Sequence, residues 1–126
     1  MHLIFDNDFD VHSITKQLGI APTECKLRDE TRMSPLTNKP IEGFWTLKTE
    51  EKGERDLGVV LNELIENISA KLPDIKKICD ENGGTVVFDI IPFFYGDSKP
   101  ALYFERDFLD IVNYLNATIQ IDLYTR

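Results

Sequence analysis

Residues 100–124, PALYFERDFLDIVNYLNATIQIDLY, decide how the rest of the chain is read. Leu102 and Phe104 alternate with Tyr103 and Glu105, the period-2 pattern of a half-buried strand. Asp107 stands at an N-cap position, and Asp110 adds negative charge beside the unpaired amides of the first turn. Phe108, Ile111, Val112 and Leu115 recur at i, i+3, i+4 and i+7, which puts them on one helical face. Asn116 tolerates positive φ and stops the helix. Ile119, Ile121 and Leu123 then alternate with Thr118, Gln120 and Asp122 as a second strand. Two strands joined through a helix lie in one sheet with the helix on one face.

Working back toward the start, residues 85–91 form the most strand-like segment: Val86, Val87, Phe88, Ile90 and Ile91 leave only Asp89 polar. This run is predicted to lie inside the sheet, with Pro92 ending its pairing. Ahead of it, Leu57, Val60, Leu61, Leu64, Ile65, Ile68 and Leu72 make a wide apolar stripe on a helix capped by Asp56. Pro73 breaks that helix and opens a shorter one, with Ile75, Ile78 and Cys79 facing inward and Gly83 closing it. Residues 43–49 alternate as a strand with Trp45 and Leu47 on one side, and the charged turn EEKGER follows. Residues 2–5 and 23–28 are further strands. Between them Asp8 or Asp10 caps a helix that carries Val11, Ile14 and Leu18 and stops at Gly19. Residues 29–41, rich in Thr, Ser, Asn and Pro, read as an irregular loop or exposed hairpin.

The order is β-α-β-β-α-α-β-β-α-β, an α+β domain spanning 1–126 whose mixed, mainly antiparallel sheet is covered by helices. Phe5-x-x-Asp8-Phe9 echoes Phe104-x-x-Asp107-Phe108, which suggests two similar halves. At 126 residues the chain has room for one core. No run reaches the ~20 apolar residues that span a bilayer. The start, MHLIFDNDFD, lacks a secretory n-region, so the expected compartment is the cytoplasm, with Cys25 and Cys79 reduced.

Net charge is −8, from 22 acids against 14 bases, and it is spread along the chain. Residues 1–56 hold 11 acids and 8 bases; residues 57–126 hold 11 and 6. Such a surface repels phosphate backbones and anionic membranes and attracts basic partners at low salt.

Motifs for chemistry are missing. Asp6, Asp8 and Asp10 open like a calcium loop, but Val11 and Gln17 stand where it needs Gly and Glu. His2 and His12 have no ligand at metal spacing, and Gly83-Gly84 belongs to neither a P-loop nor a dinucleotide turn. Neither cysteine has a base beside it in sequence. The expectation is no catalytic residue, no metal and no cofactor. Trp45 and Phe93 read as core, and Tyr95, beside Gly96 and Asp97, as core or as a partner-facing anchor.

Three phrases carry a resemblance: Ile14-Thr15-x-x-Leu18-Gly19-Ile20-x-Pro22-Thr23, Trp45-x-Leu47, and Ile119-x-Ile121-Asp122-Leu123-Tyr124. With these the chain resembles, over nearly its full length, the bacterial domain of unknown function 4279. The family supplies no catalytic residues. Its similarity to small cytoplasmic proteins found near secreted toxin systems implies an immunity role. The expected function is therefore an immunity protein that occludes the active site of a cognate toxin domain, such as a basic nuclease of the contact-dependent inhibition type. Glu50, Glu51, Glu54, Glu63, Glu66 and Asp97 are the expected contacts, with Tyr95 as aromatic anchor. The alternative is a small-ligand or regulatory domain with a pocket near Phe93 to Tyr95.

Overall fold

The computed structural model describes residues 1–33, 40–50, 57–94 and 101–125. The first half runs β1 (His2–Phe5), α1 (His12–Leu18), β2 (Glu24–Lys26), β3 (Asp29–Met33), β4 (Pro40–Ile41) and β5 (Gly43–Thr46). Then come α2 (Leu57–Ile68), a 3₁₀ turn (Ser69–Lys71), α3 (Leu72–Asn82) and β6 (Gly84–Ile90). The chain closes with β7 (Phe93–Phe94), α4 (Arg106–Tyr114), β8 (Thr118–Ile121) and β9 (Tyr124–Thr125).

The class is α+β, as predicted. Five strands form one open sheet in the order β2-β5-β1-β6-β8. Its first three contacts are antiparallel and the last, β6 with β8, is parallel. A parallel pair needs a crossover, and α4 supplies it. β6 lies inside the sheet, with β1 on one side and β8 on the other. β3 pairs antiparallel with β4, the strand alternative of the reading of residues 29–41, and β7 pairs with β9.

Side chains alternate across a strand, and one set faces the helices. Leu3, Phe5, Trp45, Val86, Phe88 and Ile90 form a single buried cluster with Ile14, Leu18, Leu61, Leu64, Ile68, Ile75, Ile78, Phe108 and Ile111. All four helices therefore pack on the same side of the sheet. Trp45 is fully buried and its indole donates to Thr15 Oγ1 at 3.0 Å. The α2 stripe is narrower than predicted: Leu61, Leu64 and Ile68 are buried, while Leu57, Val60, Ile65 and Leu72 are half-buried. Each buried member contributes about 1.5–3 kcal/mol before ordering entropy is set against it.

Several local expectations are corrected. Residues 101–105 are not a strand. Leu102 and Tyr103 are both exposed, and Phe104 packs its ring on Phe108 with centroids 5.5 Å apart. Phe104 thus gains its burial from the helix that follows, and no sheet pairing is needed. Asp107 lies within the first turn of α4; extended Glu105 occupies the N-cap, without a side-chain cap bond. Asp10 does serve the start of α1, but from one residue before the Val11 cap: its Oδ1 accepts the His12 amide at 3.1 Å. α2 ends at Ile68 and not at Leu72, because Pro73 has no N–H to offer the Ser69 carbonyl and the turn between them tightens to 3₁₀. Asp56 and turn residues 51–55 lie outside the described residues.

The stops are as predicted. Gly19, Gly83 and Asn116 take positive φ of 68°, 67° and 51°. The echo between the two ends is real packing: Phe5 and Phe9 also touch, with centroids 4.6 Å apart. It goes no further, since a strand precedes only the first pair.

Candidate functional site

The strand register brings polar residues together on the sheet face turned away from the helices. Thr46, His2, Val87 and Thr118 lie in one row across β5, β1, β6 and β8, and Asp89 pairs with Gln120 in the next. Residues opposite each other share a face. His2 Nδ1 lies 2.8 Å from Thr46 Oγ1, and His2 Nε2 lies 3.7 Å from Asp89 Oδ2. Asp122 joins them just past β8, its amide bonded to the Ile90 carbonyl at 2.9 Å. Gln120 Nε2 donates to both Asp122 carboxylate oxygens, at 3.4 and 3.3 Å.

The electrostatics of this group follow from burial. Asp89 Oδ1 is shielded from water and accepts no hydrogen bond. Burial, with Asp122 alongside, pushes the Asp89 carboxyl up to about 6, against the opposing pull of the Met1 ammonium and Lys48. A protonated Asp89 can donate to Asp122, so that one proton serves two carboxyls. Burial also lowers the His2 imidazole, and the Met1 ammonium and Lys48 lower it further. The Met1 ammonium itself donates to the Leu47 carbonyl at 2.8 Å, and burial brings it down to about 6. Sequence reading missed this cluster, although the signal was there: Asp89 shares the parity of Thr85 and Val87, the outward face of β6.

The residues expected to contact a partner are placed in part. Glu50 is exposed just beyond β5, and Glu63 and Glu66 are exposed on α2, three residues apart and so neighbours on its surface. Glu51, Glu54, Tyr95 and Asp97 lie outside the described residues. The structure adds exposed acids that were not expected as contacts: Asp74, Asp80 and Glu81 on α3, and Glu105, Asp107 and Asp110 at α4. Against these eight carboxylates on α2 to α4 stand Lys71, Lys76, Lys77 and Arg106. Lys76 is tied to Asp80 at 3.1 Å and lies 5.7 Å from the Tyr114 ring centre.

Asp6, Asp8 and Asp10 are exposed, Asp8 accepting Arg28 Nη1 at 3.4 Å. Among the described residues no group of three or more His, Cys, Asp or Glu could hold a metal ion. Both cysteines are free. Cys79 is buried and its thiol is pushed up to about 11, by burial and then by Asp80. Cys25 is half-buried, and sequence did not anticipate its neighbour: His12 Nδ1 lies 3.5 Å from its sulfur. A shallow groove between Leu61, Ile65, Tyr103 and Phe108 has room for little more than a water. No helix among the described residues is long and apolar enough to cross a membrane.

Fold and surface together define an α+β protein whose open mixed sheet carries helices with an excess of acids on one side and a cluster of His2, Thr46, Asp89 and Gln120 on the other. The chain belongs to the family described as Domain of unknown function (DUF4279), whose model matches residues 3–126. No curated protein and no solved structure matches the chain.

Proposed function

We propose that this protein is a cytoplasmic binding module of the immunity type, which captures a basic toxin domain and covers its active site. The observation that carries the reading is the helical layer: eight exposed carboxylates on α2, α3 and α4 and at the α4 N-cap, against Lys76, Lys77 and Arg106 on those helices, Lys71 in the 3₁₀ turn and Lys16 on α1. Acids exceed bases there by three. A surface of net negative charge steers a basic partner into encounter, and close charge pairs then fix its orientation. Glu63 and Glu66 lie within this surface. Glu50 is exposed just beyond β5, and Glu51, Glu54, Tyr95 and Asp97 complete the contact set read from sequence.

Co-expression with the product of the adjacent upstream gene tests the idea. A complex that survives purification, and whose association rate falls steeply with added salt, is the expected result. Absence of any complex, or association that ignores salt, ends the proposal.

A further inference from the structure

Cys25 sits on the edge strand β2, half-buried, while His12 opens α1 and is exposed. The 3.5 Å between Cys25 Sγ and His12 Nδ1 is an S–H to nitrogen hydrogen bond when the imidazole carries its proton on Nε2. Asp10 holds the start of α1 beside this pair, its Oδ1 accepting the backbone amide of His12 at 3.1 Å. We propose that Cys25 is a covalent modification site for small-molecule disulfides, with His12 as the base that takes the thiol proton.

Burial and the Asp10 charge both disfavour a free Cys25 thiolate, so solvent alone leaves this thiol protonated. A nucleophile within hydrogen-bond reach of a base is the arrangement that activates a poor nucleophile. In the step, the proton passes to Nδ1 as sulfur attacks one sulfur of the disulfide. The new S–S bond forms while the old one breaks, and the departing thiolate takes the proton from His12. Thiol and disulfide become a mixed disulfide and a free thiol, with no further oxidant. Cys79, buried in the core under Gly84, has no such access.

The reduced full chain is treated with oxidised glutathione and followed by intact mass. One adduct is expected, kept in Cys79→Ser and lost in Cys25→Ser. His12→Gln slows it by about a hundredfold, the low end for loss of a positioned base. Unchanged Trp45 fluorescence certifies the fold of each variant. An adduct on Cys79, no adduct at all or a native rate in His12→Gln overturns the proposal.

Discussion

His2 and Asp89 face each other diagonally across β1 and β6, with Nε2 3.7 Å from Oδ2. The contact lies beside a carboxyl oxygen that is buried without a partner. The two groups respond to pH in opposite senses. Asp89 is raised in the folded chain to about 6, from an ordinary 3.8, so the folded state binds its proton more tightly than the unfolded state. Stability from this group is complete below about pH 4 and is lost as pH rises toward 6. His2 is lowered, so its contribution grows as pH rises toward the usual histidine value of 6.5. Asp89→Asn removes the first effect. The difference in urea midpoint between native chain and variant therefore shifts in the variant's favour as pH rises from 4 to 6, and levels off above. A difference that does not change with pH would show that Asp89 is not perturbed.

Gly84 opens β6 directly opposite Phe5. A Cβ there would come within 2.5 Å of the Phe5 ring and 3.1 Å of Cys79 Sγ. Gly84→Ala is expected to cost about 1–3 kcal/mol, because a fully buried ring on an interior strand has nowhere to shift. Gly19 is different: nothing lies within 4 Å of its would-be Cβ, and only its left-handed φ of 68° resists substitution. Gly19→Asn should therefore lose well under the cost of Gly84→Ala in the same denaturation assay.

Trp45 is the chain's one tryptophan, so intrinsic fluorescence reads its site alone. Thr15→Val removes the acceptor for its indole N–H and leaves that donor buried and unpaired. A loss of about 1–3 kcal/mol is expected. The loss should be larger than for Thr15→Ser, which keeps the hydroxyl. Equal losses would mean that the bond contributes little.

Reversing Glu63 and Glu66 to Lys on the exposed face of α2 leaves the core stripe untouched. The double variant is expected to keep its unfolding free energy within about 1 kcal/mol, the scale of an exposed ion pair. With a basic partner, it should associate at least several-fold more slowly at low salt, and the gap should close at high salt. An equal slowdown at every salt concentration would point to a packing effect and against steering.

Much of the fold was legible because it is written in short-range pattern. The α4 face of Phe108, Ile111 and Leu115 is buried as its spacing requires, and Gly19, Gly83 and Asn116 end their helices in the left-handed conformation. The misreadings have a shared origin. Alternation at residues 102–105 is a statement about two faces, but a strand also needs a neighbour, and Phe104 found Phe108 instead. Likewise Asp89 read as an interruption in a buried run until β1 and β8 supplied His2, Gln120 and Asp122 around it.

By itself, the sequence determined most of the element types, the helix stops, the larger part of the inward set and the excess of negative charge. Each of these depends on neighbours within a turn or two of chain, where periodicity and conformational preference act directly. Only the tertiary structure decided which strands pair and which acids share the helical side. It also decided that residues far apart in sequence meet, as Asp89 meets His2 and Cys25 meets His12. Those outcomes come from burying one face of the sheet in one packing arrangement, and the free energy of that arrangement belongs to the whole chain and to no segment of it.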